Sequence, residues 1–180
     1  MKQDSLSKLV MAALFAALTC IATLVIQLRV TPTGGYVNLG DCLVLLCAWL
    51  LAPVYGMAAA GIGSMMADII SGYAVYAPAT LVIKSLMALA SGAIFRWCTR
   101  HAKNRRTMLA GCLLSAVAAE TIMSCGYCGY EAWVLGLGPA ALLGMPGNIL
   151  QAACGIVSST AVYSLLQRSR ALEQQLERLK

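Results

Sequence analysis

A chain of 180 residues that is 60% hydrophobic and only 11% charged, with a mean hydropathy of +0.78, lies far from the ~25% charged residues of a soluble domain. It reads as an integral membrane protein: at ~20 apolar residues per crossing there is room for about six short-looped helices and for no soluble catalytic domain. The net charge of +6 does not point to a nucleic-acid partner, because the basic residues cluster between and after apolar runs, where membrane topology accounts for them.

The first helix is predicted over residues 7–28. Its charged start is like that of a signal peptide, but its apolar run exceeds the ~7–15 residues of a signal core. It carries Ala12, Ala13, Ala16 and Ala17, overlapping small-x-x-x-small pairs that form a flat face. Such a face suits packing within a bundle or docking on a separate membrane partner. Pro32, Gly34 and Gly35 then break the helix.

The second helix, residues 40–53, opens at Asn38 or Asp41, either of which can cap free backbone N–H groups. It reaches Pro53 in about a dozen residues, ~18 Å against a ~30 Å hydrocarbon core, so it is tilted or continues kinked past the proline. The third helix, 54–71, aligns Gly56, Ala60 and Ser64 on a stripe leading to Asp68. The fourth, 78–97, starts at Pro78 and contains Lys84; a basic loop with Arg100, His101, Lys103, Arg105 and Arg106 follows. The fifth, 107–123, contains Glu120. Residues 125–146, rich in glycine and aromatics, predict a loop with a short helix. The sixth helix, 146–166, has Asn148 and Gln151 near its start, and a polar tail covers 168–180.

Eight cysteines lie mainly in apolar runs, where cysteine behaves as a small hydrophobe. Only Cys125 and Cys128 have a motif spacing. A lone C-x-x-C without a second pair is structural, or a disulfide if it faces outside, and no metal site is expected. With the N-terminus inside, every one of the 13 Lys and Arg residues except Arg29 and Lys84 falls on the inner side. The fold class is therefore all-α: a polytopic membrane protein of six transmembrane helices, one membrane domain over 1–180, both termini cytoplasmic.

This topology brings the intramembrane polar groups to one depth. Asp68 lies roughly 6 Å and Lys84 roughly 9 Å below the outer ends of their helices, so the two can meet across the hairpin. Glu120 lies roughly 20 Å up from the inside, and Asn38, Asp41, Asn148 and Gln151 arrive on the same side. Tyr73 and Tyr76, with Tyr36, Tyr127 and Tyr130, belong to that side too. Hydrogen-bonding groups and flat rings converging on one place suit a small polar ring compound. The bland alternative is a structural or assembly membrane protein in which an Asp68–Lys84 pair stabilises the bundle and the aromatics mark the interface. Ile83 precedes Lys84-Ser85 where a phosphate-binding loop needs glycine, and the only histidine is His101; ATP hydrolysis by this chain and catalysis in the membrane are disfavoured. A self-sufficient small transporter is a third reading, though no convincing internal repeat is present.

The segments Gly35-Tyr36-Val37-Asn38-Leu39-Gly40-Asp41, Leu51-Ala52-Pro53-Val54-Tyr55-Gly56, Ala67-Asp68-Ile69-Ile70-Ser71-Gly72-Tyr73 and the run from Tyr76 through Lys84 to Ala88 resemble the S components of energy-coupling-factor (ECF) vitamin transporters. The likeness is to the branch with riboflavin, pyridoxine and hydroxymethylpyrimidine carriers. The resemblance implies six helices, a vitamin bound near the outer face under a lid at residues 30–39, and no cofactor of its own. It also implies docking through Ala12, Ala13, Ala16 and Ala17 onto a membrane coupling subunit joined to two cytoplasmic ATPases, which use the ATP. The setting would be a prokaryotic cell membrane. From the chemistry of the donors and acceptors, a pyridine or pyrimidine with hydroxymethyl groups, vitamin B6 or hydroxymethylpyrimidine, is the first choice of substrate.

Overall fold

A computed structural model describes residues 2–25, 27–28, 36–100 and 104–167, and among these residues it contains six α-helices. They are α1 (Lys2–Val25), α2 (Gly40–Leu50), α3 (Pro53–Ile70), α4 (Ala77–Thr99), α5 (Arg105–Gly129) and α6 (Met145–Leu166). Five segments are long and apolar enough to cross a bilayer. The polar tail at 168–180, His101 and Lys103 of the basic loop and most of the expected lid, 30–35, lie outside the described residues.

The exception in length is α2, with 11 residues, about 16 Å at 1.5 Å per residue. It is apolar nearly all round and is buried nearly all round, the environment such a helix requires. Helices α1, α3, α4 and α6 all pack on it. Leu51 and Ala52 are extended, and Pro53 occupies the first turn of α3, a position where its missing N–H costs no hydrogen bond. The chain thus breaks between two helices instead of continuing kinked. Gly56 makes the tight reversal possible: a Cβ there would lie 2.7 Å from the carbonyl oxygen of Cys47.

The sequence predicts a capping side chain, Asn38 or Asp41, at the start of α2, and the structure corrects this. The cap position is Leu39, with no side-chain cap bond. Asn38 Oδ1 accepts from the Gly40 N–H at 2.7 Å, while Asp41 lies inside the first turn and is fully buried. A second correction concerns residues 125–146. Helix α5 runs on to Gly129 and through a π turn at Tyr130–Val134, followed by a 3-10 segment at Gly138–Gly144. Glycine lowers helix propensity, but neighbouring packing overrides it here: Gly126 lies directly against Ile83 of α4. Cys125 and Cys128 therefore sit on a helix as free thiols and form no disulfide.

Two short strands, β1 (Gln27–Leu28) and β2 (Val37–Asn38), pair antiparallel, Gln27 with Asn38 and Leu28 with Val37. This clasp fixes the connection from α1 to α2 over the same end of the bundle as the polar groups. At the opposite end of α2, Trp49 Nε1 donates to Ser91 Oγ (3.1 Å) and Ser115 Oγ (3.0 Å). Its ring packs against Phe95 and Tyr163, forming the aromatic part of the core. Large apolar side chains such as Val10, Leu14, Val82, Val117 and Val157 face outward, as expected of a surface solvated by lipid.

Candidate functional site

Lys84 lies about two turns into α4 and points at α2. Its Nζ donates to Asp41 Oδ1, and the two side chains are 4% and 0% exposed. Asp41 Oδ2 accepts from Gln151 Nε2 of α6 at 2.6 Å. Gln151 Oε1 in turn accepts from the backbone N–H of Asn38 (3.0 Å) and from Asn38 Nδ2 (3.2 Å). One hydrogen-bonded chain thus runs from β2 through α6 and α2 to α4. It crosses the centre of the bundle, where an unpaired charge would be costly.

The expected Asp68–Lys84 pair does not form. Asp68, at the outer end of α3, accepts at Oδ1 from the Tyr36 hydroxyl at 2.6 Å. Depth alone allowed Asp68 and Lys84 to meet, but burial of α2 carries Asp41 closer to the ammonium. Tyr36 precedes β2 and is outside the spans. Burial and the Asp68 carboxylate push its phenol far above the ordinary value, so it remains a donor to Asp68.

A cavity of about 540 Å³, counting the part continuous with solvent, occupies this end of the bundle. Of the residues singled out in the sequence, Asn38, Asp68, Tyr73, Tyr76, Lys84, Asn148 and Gln151 line it. Asp41 and Glu120 do not: they stand behind Lys84, around Gly155 of α6. A Cβ on Gly155 would fall 2.6 Å from Glu120 Oε1 and 3.0 Å from Asp41 Cβ. Glu120 is 3% exposed, and among the described residues neither of its carboxylate oxygens has a hydrogen-bond partner.

The wall also includes Tyr36 and Tyr127, expected on this side, Ser64 of the α3 stripe, and Thr23, Thr80 and Glu131, which the sequence does not single out. Glu131 is 4% exposed and accepts from the Tyr76 hydroxyl at 3.2 Å. From sequence its stretch predicts a loop, but with α5 continued, Tyr127 and Glu131 are four apart and share a face. Thr80 and Tyr127 are joined at 2.9 Å. The tyrosines form a chain of rings, Tyr36 to Tyr73 at 4.7 Å, Tyr73 to Tyr76 at 6.4 Å and Tyr76 to Tyr127 at 6.5 Å between centroids. Polar anchors at the base and ring faces on the sides are the composition of a small-molecule pocket.

The four alanines of α1 divide. Ala12 is buried and Ala16 half-buried, the latter against Gly63 of α3, whereas Ala13 and Ala17 are exposed.

The family model for the S component of ECF-type riboflavin transporters matches residues 3–168. The chain belongs to this family. It is a multi-pass membrane protein and the substrate-binding subunit of a transporter, not an enzyme. As an S component it binds a small molecule and docks with a module of membrane and ATPase subunits. A Pyrococcus woesei protein, described as an uncharacterized protein in a gap 3′ region, is 30% identical over 148 residues, 82% of this chain and 93% of that one. A solved structure described as the S component of a bacterial ECF transporter superposes with a TM-score of 0.67 at 16% identity. It covers 91% of this chain and 97% of its own, and at that identity it bears on the fold alone.

Proposed function

We propose that this S component captures a vitamin or vitamin precursor at the outer face of a prokaryotic cell membrane and delivers it inward when docked on its coupling and ATPase subunits. The observation that carries the reading is the cavity itself. A purely structural ion pair would leave its surroundings apolar and filled, yet here Asp68 Oδ2 and Ser64 Oγ are buried without hydrogen-bond partners among the described residues, beside a wall of tyrosines. Unsatisfied buried polar atoms are costly, and a polar ring compound entering the cavity relieves that cost.

The contacts we assign to the substrate are Asn38, Asp68, Tyr73, Tyr76, Lys84, Asn148 and Gln151, with Asp41 and Glu120 orienting Lys84 from behind. A pyridine or pyrimidine with hydroxymethyl groups, vitamin B6 or hydroxymethylpyrimidine, is the first choice, since carboxylates and amide oxygens accept from such groups. Riboflavin is a second reading, favoured by the description of the matching family model. The chain needs no cofactor of its own in this scheme; ATP is used by the partner subunits. Docking runs along α1, and the outward Ala13 and Ala17 are the members of the alanine set available to a partner.

Thermal unfolding of the purified protein against pyridoxine, pyridoxal, hydroxymethylpyrimidine and riboflavin tests the proposal. One compound should raise the melting temperature at one-to-one stoichiometry without ATP. No shift with any vitamin or precursor would contradict it.

A further inference from the structure

The far end of the bundle holds a second cavity, of about 610 Å³ counting the part continuous with solvent, where the chain breaks between α2 and α3 and where α4 ends. Trp49, Leu51 and Phe95, all buried, give it an apolar floor, while Pro53 and Arg100, both exposed, stand at its mouth. Val54 and Trp97, which follow Pro53 and Arg96 in the chain, are 74% and 68% exposed. The mouth is thus built on elements that face lipid, and an exposed tryptophan suits the level of the membrane interface. In the orientation set by the basic loops this is the cytoplasmic side.

Arg96 decides what the cavity suits. Helical side chains lean toward the N-terminus of their helix, and here the guanidinium runs back beside Gly92: a Cβ on Gly92 would lie 2.7 Å from Arg96 Nη2 and 3.1 Å from Nη1. Gly92 is seven residues short of Thr99, the last residue of α4, or ~10 Å along the axis. The charge is therefore drawn in beside the apolar floor, whereas arginines at membrane helix ends ordinarily reach for water. Nη1 donates to Ala48 O at 3.4 Å, a long contact that occupies one of five guanidinium donors. Arg96 and Arg100 both line the cavity, and a guanidinium fork matches the oxygens of a phosphate group.

We propose that this cavity binds an anionic phospholipid of the cytoplasmic leaflet, its phosphate held between Arg96 and Arg100 and its glycerol and first acyl carbons laid along the apolar floor. Basic pockets between transmembrane helices on the cytoplasmic side have the chemistry for such headgroups. The floor favours a lipid over a free phosphate, because only the lipid brings apolar surface to bury as well as charge. The site is separate from the vitamin cavity and does not depend on the reading of that cavity.

The test uses the full chain purified in neutral detergent, with dioctanoyl phosphatidylglycerol, dioctanoyl phosphatidylcholine and inorganic phosphate as probes, read by native mass spectrometry and by melting temperature. Phosphatidylglycerol should bind at one per chain, about tenfold or more tighter than phosphatidylcholine, and inorganic phosphate should not displace it at equal concentration. Arg96→Gln with Arg100→Gln should abolish the preference, whereas Arg105→Gln with Arg106→Gln, an equal loss of charge at exposed residues outside the cavity, should keep it. Equal affinity for the two lipids, or equal loss in both double variants, would overturn the proposal, leaving general surface charge as the cause. Displacement by inorganic phosphate would mean a free-anion site and would overturn the lipid assignment. Binding that appears only after Asp4→Asn, Glu173→Gln and Glu177→Gln are combined would mean that the arginines are held by the chain's own carboxylates, which also overturns it. Arg100→Gln alone, at an exposed position, keeps the test open if the Arg96 variant fails to fold, and should itself reduce the preference.

Discussion

Replacing Lys84 by methionine tests the centre of the bundle, because the consequence follows from who its partner is. The change keeps much of the side-chain volume but strands Asp41, whose side chain is 0% exposed, with Gln151 as its remaining donor among the described residues. Removing one member of a buried ion pair costs ~3–5 kcal/mol, since the other charge is left uncompensated. Asp41→Leu strands the ammonium and should cost a similar amount. Removing both charges together is different: a buried pair replaced by apolar groups is often neutral or even stabilising. The loss of one acceptor for Gln151 offsets this by ~1 kcal/mol. The double variant should therefore lie within about 2 kcal/mol of wild type, and the two substitutions should couple by several kcal/mol. Reversible unfolding in mixed detergent micelles, with all four proteins compared, supplies the cycle. Additivity within ~0.5 kcal/mol would mean that the two side chains do not interact and would refute the pairing. Asp68→Leu combined with Lys84→Met is the control, and it should not show the rescue.

Other expectations follow from single contacts. Gly155→Leu must displace both Glu120 and Asp41, and should lower stability by ~1–3 kcal/mol through overpacking, read as a drop in melting temperature. Trp49→Phe removes the donor shared by Ser91 and Ser115, both fully buried, and should cost ~1–3 kcal/mol with substrate binding at the far end unchanged. Burial and the neighbouring Asp68 raise the Tyr36 phenol in the folded state, so the folded protein holds that proton more tightly than the unfolded chain does. The associated stability is fully present below about pH 10 and declines as pH rises beyond it; Tyr36→Phe should show a shallower decline in the same titration. Ala13→Trp and Ala17→Trp should preserve folding and vitamin binding while reducing capture of the coupling subunit, whereas Ala12→Trp, on the buried side, should lower the melting temperature.

The sequence carried the helical class and most helix boundaries because apolar runs of membrane length have few alternatives. It also carried the convergence of polar groups at one end, since depth follows from residue count along a helix. Partner choice was not legible. Asp68 and Lys84 share a depth, but which carboxylate reaches the ammonium depends on the lateral position of α2, and a sequence repeats no signal for that. Asp41 looked like a cap because it stands at a helix start, and only the wrapping of α2 by α1, α3, α4 and α6 shows that this start is interior. Glu131 was hidden by glycine-rich surroundings whose low helix propensity is overcome by packing against Ile83. The alanine face of α1 was visible as a pattern, but its division into a buried and an outward pair needed the position of Gly63.

The cavity among Asp68, Lys84, Tyr76 and Gln151 should hold one small molecule. Mass spectrometry of the protein purified gently from cells supplied with vitamins tests it most directly. A flat, nitrogen-containing compound should be retained at one per chain and lost when Asp68 and Lys84 are both replaced; a chain that carries no small molecule and retains none after incubation with the vitamin set would refute the assignment of this cavity.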